Sequence, residues 1–314
     1  MSVSSEQQEK PGLFYYLGIA LRGFSMGAAD VVPGVSGGTI ALLTGIYNDL
    51  LDAISAFNLA FLRKLFSPRW REALNEFPWK FLLALGLGIG TAIFSLARFL
   101  KWALAEHPAF LWSFFFGLVL ATVLVVSRRI EKPGLHTVGT TLLTAAGAYL
   151  LLGMTPAETP EAAWFLFISG MLAVCAMILP GISGAFILVL LGKYEFVLDA
   201  VVRMDVFSLL LIAAGGVVGL MSLARLLRWL LHNYYDVTIA ALTGFMMGSM
   251  RKLWPWKVVI EDPELAAVRV TNVLPDAFSQ DILIAVFLML VGFTIVMLVE
   301  ILPKQRRAVQ TAEE

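Results

Sequence analysis

The stretch Pro33-Gly-Val-Ser-Gly-Gly-Thr-Ile-Ala-Leu-Leu-Thr-Gly-Ile-Tyr47 recurs as Pro180-Gly-Ile-Ser-Gly-Ala-Phe-Ile-Leu-Val-Leu-Leu-Gly-Lys-Tyr194, 147 residues further on. The same offset pairs Gly23 with Gly170, Asp52 with Asp199 and Ala53 with Ala200. A second block, Ser95-Leu-Ala-Arg-Phe-Leu-Lys-Trp102, matches Ser222-Leu-Ala-Arg-Leu-Leu-Arg-Trp229 at an offset of 127, with Gly88 and Gly117 opposite Gly215 and Gly244. Two blocks in the same order point to an internal duplication. The differing offsets place a longer connection in the first copy, at residues 57–76.

Composition sets the medium. Of 314 residues, 59% are hydrophobic and 15% charged, with mean hydropathy +0.82. A soluble domain carries about 25% charged residues. The runs at 81–100, 109–126 and 282–302 are long enough to cross roughly 30 Å of hydrocarbon. Net charge is zero, so nothing draws the chain to nucleic acid, and the single cysteine, Cys175, excludes an intrachain disulfide. His107, His136 and His232 are dispersed, so no metal site is expected, and no cofactor. The polar start lacks the pattern of a cleaved signal peptide, which implies that the first apolar segment is retained.

Basic loops mark the cytoplasmic face. They fall at 63–80, Arg128-Arg129-Ile-Glu-Lys132, 225–228 and Lys304-Gln-Arg-Arg307, while 155–161 and 261–281 are poor in Lys and Arg. Spans at 80–104, 109–129, 135–153, 206–231, 237–251 and 281–302 satisfy these loops. The apolar stretches 13–55 and 163–202 must then return to the side they came from. The expected fold is an all-α polytopic membrane protein, a single transmembrane domain over 1–314 with both termini cytoplasmic. It has two inverted repeats, about six full spans and two re-entrant helical hairpins broken at the Pro-Gly-Val/Ile-Ser-Gly motif. Repeat 1 covers 13–130, with its hairpin at 13–55 and a surface helix at 57–76 interrupted by Pro68. A linking span at 135–153 leads to repeat 2 at 163–256, whose hairpin is 163–202, and 281–302 is the terminal span.

The break has physical consequences. Proline removes a donor and disfavours helix just before it, and glycine tolerates backbone angles other residues avoid. Ser36 and Ser183 are expected to cap the arms that follow. Free N–H groups at a helix start suit an anion. Ser36, Gly37, Gly38, Thr39, Ser183 and Gly184 are therefore candidates for a phosphate site between two opposed tips, an arrangement inverted-repeat transporters use for substrate. Arg98 and Arg225 lie inside apolar segments, a turn before Lys101 and Arg228. Intramembrane charges usually face a partner or cavity, and a guanidinium fork matches phosphate oxygens. Arg22 is a third candidate. Asp30 and Glu195 read as coupling groups or charge partners, with a helix-end cap the plainer role for Asp30. Asp52 and Asp199, at the hairpin exits, read as solvated. Gly86, Gly88, Gly90, Gly215, Gly216 and Gly219 read as close-packing positions.

Gly23-Phe-Ser-Met-Gly-Ala-Ala-Asp-Val-Val-Pro-Gly-Val-Ser-Gly-Gly-Thr39, with Gly45-Ile-Tyr47, resembles the signature of the polyprenyl-phosphate transporter family. Leu179-Pro-Gly-Ile-Ser-Gly184, Gly192-Lys-Tyr-Glu195 and Ser222-Leu-Ala-Arg225 resemble it too, and the likeness covers roughly residues 15 to 302. The resemblance implies a multi-pass protein of the bacterial cytoplasmic (inner) membrane. It implies a flippase returning undecaprenyl phosphate from the outer to the inner leaflet, for reuse in peptidoglycan and other envelope synthesis. The expected partners are that lipid and the bilayer. A coupling ion (proton or sodium) and a homo-oligomer are compatible with the sequence, which assigns neither. A channel or exchanger for small inorganic anions is the alternative that helix ends also serve. An intramembrane lipid phosphatase would need Ser36 and Asp30 as nucleophile and base. No nucleotide-binding loop, zinc-protease helix or Gly-x-Ser-x-Gly elbow occurs, so no enzyme is expected.

Overall fold

The computed structural model describes residues 12–30, 36–154, 159–160, 162–262, 267–275 and 279–313, with side chains there except at 59, 62, 97–98, 101, 201–202, 259–270 and 302–313. The residues 31–35 that begin the first motif, including Pro33 and Gly34, lie outside this set.

Around each motif copy the chain forms three helices. In the first copy α1 (Leu13–Asp30), α2 (Gly37–Leu43) and α3 (Tyr47–Ala56) follow one another; in the second, the three are α9 (Ala163–Ile178), α10 (Gly184–Leu190) and α11 (Tyr194–Val202). The short helix of each copy ends at a glycine with positive φ, Gly45 at 78° and Gly192 at 61°. These positions are equivalent in the repeat, and a side chain there would be strained. Between α3 and the next long helix lie α4 (Leu59–Leu65) and α5 (Trp70–Glu76), on either side of Pro68.

The long helices are α6 (Trp79–Glu106), α7 (Pro108–Ser127), α8 (Leu135–Leu151), α12 (Val206–Asn233), α13 (Tyr235–Leu253) and α14 (Gln280–Glu313). Four of them, α6, α7, α12 and α14, contain stretches long and apolar enough to cross a membrane, and α8 and α9 are shorter apolar helices. Large apolar side chains face outward: Phe94 is 90% exposed, Leu143 74% and Leu210 62%. Apolar surface on this scale fits a lipid surround. Helix α13 is less apolar. It sits between α7 and α8 and buries Thr238, Thr243 and Ser249 with Leu242 and Met246.

Close approach at small residues joins the helices. A Cβ on Gly23 would collide with the Leu85 carbonyl, and one on Gly170 with the Ile212 carbonyl. Those pairs are related by the two sequence offsets. Likewise Gly88 abuts the Ala20 carbonyl and Gly215 the Phe167 carbonyl. Helix α1 thus packs on α6 as α9 packs on α12. Gly117 of α7 meets Met289 of α14, and its counterpart Gly244 of α13 meets Thr141 and Thr144 of α8. Gly216 and Gly219 also lie in close contact, but Gly86 and Gly90 face open space, which corrects their reading as packing positions.

Two departures from the expected all-α layout appear beyond α13. Residues Lys257–Asp262 (β1) and Ala267–Asn272 (β2) form an antiparallel hairpin with Val259 opposite Val270. The β-branched runs Val258-Val-Ile260 and Val268-Arg-Val-Thr271 favour strand. Helix α14 runs on to Glu313, past the expected end at 302; beyond Pro303 the run Lys304-Gln-Arg-Arg-Ala308 is made of good helix formers.

Candidate functional site

The two motif copies meet in a buried joint. Ser36 and Thr39 are almost fully buried. The Gly181 amide donates to Thr39 Oγ1 at 3.0 Å. Ser36 Oγ accepts from Gly38 N at 3.1 Å and faces the carbonyls of Met177 (3.2 Å) and Leu179 (3.3 Å), to which its hydroxyl donates. Tyr47 donates its hydroxyl to the Ile178 carbonyl at 3.2 Å. Carbonyls freed where α9 ends are thus satisfied by hydroxyls from the first copy, as buried backbone polar groups require.

Asp30 is a cap. Its Oδ1 accepts from Gly37 N at 2.6 Å, which joins the last residue of α1 to the first of α2. With Ser36 on Gly38 N, two of the amides expected to face an anion are already bonded within the chain, and Thr39 N donates to the Ser36 carbonyl. The second copy differs, since Ser183 makes no side-chain cap. That corrects its expected capping role. Gly184 lies against the Ala173 carbonyl and Met177. None of the described hydrogen bonds joins Ser36 to Asp30, so a nucleophile–base pair is not assembled.

Helix α3 links this joint to a cavity of about 760 Å³, lined by Asn48, Asp52, Ser55, Arg225, Arg228 and Trp229 among others. Arg225 donates from Nη2 to the Phe57 carbonyl at 3.2 Å and has no carboxylate within ion-pair distance among the described residues. Arg228 Nε lies 2.7 Å from Asp52 Oδ1. Asp52 is solvent-exposed, as expected, and through this pair it also ties α3 to α12. Ser55 Oγ is buried on the cavity wall without a hydrogen-bond partner, a group that a ligand or water would satisfy. The cavity can therefore hold an oxyanion on a guanidinium, with Leu51, Leu231 and Trp229 as apolar wall.

The remaining candidates are spread out. Arg22 lies within electrostatic reach of Asp49, near the Asp52 end of α3. Glu195 is exposed in the first turn of α11, away from any described ion pair. Arg98 belongs to α6, and its side chain lies outside the described residues. Two cations bonded to distant backbone escaped the sequence reading. Arg129 donates to the Leu42 and Leu43 carbonyls at 3.0 and 3.2 Å, closing the C-terminal end of α2. Its place in a basic loop signalled only topology. Lys193, buried in the Gly-Lys-Tyr segment, donates to the Thr159 carbonyl at 2.9 Å.

A family model described as undecaprenyl phosphate translocase-like matches residues 26–267, taking in both motif copies, the joint and the cavity. The chain belongs to this translocase-like family. Two curated relatives carry the same name. The polyprenyl-phosphate transporter of Vibrio cholerae serotype O1 is 45% identical over 242 residues, covering 77% of this chain and 79% of that protein. The polyprenyl-phosphate transporter of Staphylococcus aureus is 32% identical over 253 residues, 75% of this chain and 85% of that one. No solved structure matches this member of the translocase-like family significantly.

Proposed function

We propose that this protein is a flippase for undecaprenyl phosphate, returning the lipid from the outer to the inner leaflet of the bacterial cytoplasmic membrane. The observation that carries the reading is the Arg225 cavity in a member of this family: a guanidinium without a carboxylate partner among the described residues, beside an unsatisfied buried hydroxyl. A single phosphate needs one local anion site, and an Arg fork holds it at any cellular pH. The prenyl tail stays in lipid.

Matched packing of α1 on α6 and α9 on α12 supports two inverted repeats, and the charge bias of the loops supports opposed re-entrant hairpins, with the Arg225 cavity toward the cytoplasm. On this reading the phosphate passes between Arg225 and its repeat counterpart Arg98, alongside the joint of Ser36 to Thr39 with Ser183 and Gly184. The pair Arg228–Asp52 holds the repeats together on the inner side. Its repeat counterparts are Lys101, whose side chain lies outside the described residues, and Asp199, which lies 3.7 Å from Arg203. Alternating exposure then exchanges one cross-repeat pair for the other. Exposed pairs are worth only about 0.2–1 kcal/mol, which suits contacts broken in every cycle.

The test is rescue of cells depleted of other carriers of this lipid. Arg225→Ala should fail to rescue while reaching the membrane at normal levels, and Arg225→Lys should rescue in part. Full rescue by Arg225→Ala removes the arginine from the mechanism. Transport of chloride or inorganic phosphate that polyprenyl phosphate does not displace would favour the small-anion channel instead.

A further inference from the structure

A second basic pocket lies at the far end of α13. Lys257, the first residue of β1, donates from Nζ to the Lys252 carbonyl at 2.6 Å, and its ammonium lies 4.1 Å from the centroid of the Trp112 ring. Lys252, in the last turn of α13, holds its own ammonium 4.8 Å from the ring of Phe186 on α10, the arm that follows the second motif. Both lysines are half-buried and repel one another. Neither has a carboxylate within ion-pair distance among the described residues. Lys257 lines a cavity of about 330 Å³ with Trp112, Trp256, Pro108, Pro255 and Pro275.

Two cations held beside each other partly out of water either give up a proton more readily or gain from an anion placed between them. An ammonium has three donors. Lys257 spends one on the Lys252 carbonyl and turns toward the Trp112 face, so donor capacity remains for the cavity. Rigid aromatic and proline walls with a single cationic corner suit an oxyanion carried on an apolar group. Position adds a second, independent argument. Asn233 of the Arg225 cavity precedes α13, and Lys252 is near its end. The 19 residues of α13 span about 28 Å at 1.5 Å per residue, close to the hydrocarbon thickness of roughly 30 Å. On the topology proposed above, one basic cavity then stands at each face of the membrane.

We propose that Lys257, backed by Lys252, is a second phosphate-monoester site, which receives the lipid head group on the face opposite Arg225. The proposal rests on the transport reading above and assigns its loading side. The test uses the full chain in lipid nanodiscs, with farnesyl phosphate as a short probe, and inorganic phosphate and farnesol as competitors. Removing a charge-assisted donor, as in Lys257→Gln, should weaken farnesyl phosphate binding about ten-fold or more. Lys257→Arg, which keeps the charge, should stay near the parent and controls for folding. Unchanged binding in Lys257→Gln and in the Lys252→Gln/Lys257→Gln double variant, with loss in Arg225→Gln, overturns the second site and leaves the transport reading standing. Displacement by inorganic phosphate as effective as by farnesyl phosphate would overturn the lipid assignment. Failure of the parent protein to bind farnesyl phosphate at all would sink the transport reading itself.

Discussion

The Gly181 amide donates to Thr39 Oγ1 at 3.0 Å, so the two copies of the motif are bonded directly to each other in the buried centre of the protein. The threonine has no equivalent in the second copy, where Phe186 stands at that position. The first copy therefore supplies the side chains, and the second supplies the backbone.

Replacing Thr39 with valine keeps the volume and deletes the acceptor. The Gly181 N–H would then be buried without a partner, at a cost of about 1–3 kcal/mol. Thr39→Ser should recover most of the loss. Thermal unfolding of detergent-purified protein checks both, and equal midpoints for parent and valine variant would show the bond to be dispensable.

Asp30 tests capping against ion coupling. As a cap, Asp30→Ala should destabilise by about 0.5–2 kcal/mol. Asp30→Asn retains an oxygen for Gly37 N and should keep both stability and rescue. A folded Asp30→Asn protein that no longer transports would make the carboxylate a coupling group.

The exchange of cross-repeat pairs can be trapped. Cysteines at 52 and 228 should crosslink readily in the conformation described here. Cysteines at 101 and 199 should crosslink only when transport substrate or a shift in conditions repopulates the other state. Each crosslink should block transport alone. Transport that continues with either crosslink complete would exclude the exchange.

Lys257 gives a pH signature outside the membrane spans. Burial, then repulsion from Lys252, pushes its ammonium down to about 8, against an ordinary lysine value of about 10.4. Between those values the unfolded chain holds the proton and the folded chain does not, so stability rises with pH across the window. Below about 8 both states are protonated, and the destabilisation is then complete. Unfolding midpoints from pH 7 to 10.5 should show this rise, and Lys257→Gln should flatten it.

Much of the architecture was legible because membranes constrain sequence so strongly. Apolar length located the long helices, and the repeat offsets showed which glycines are equivalent, though not the carbonyls they face. What escaped depends on distant backbone. The capping role of Asp30 was legible as the plainer reading, but not its partner, Gly37 N, seven residues on. Arg129 and the carbonyls of Leu42 and Leu43 are more than eighty residues apart. Arg225 was legible as a charge in an apolar run, but its cavity needed α3 to be laid beside α12. The β-hairpin was missed because its valines were read only for their lack of positive charge.

The buried joint has a mechanical consequence. Arg129 fastens the base of α2 to the segment just after α7, and Thr39 fastens its tip to the second copy, so α2 is clamped at both ends. A clamped element cannot slide; it can only tilt. In the proposed transport cycle the joint would be a fulcrum, where displacement is smallest and short hydrogen bonds survive each stroke. The rims, where Arg228 meets Asp52, would travel furthest, and there a weak contact is the right fastening. Lever geometry, rather than bond strength, would then decide which contacts this protein keeps.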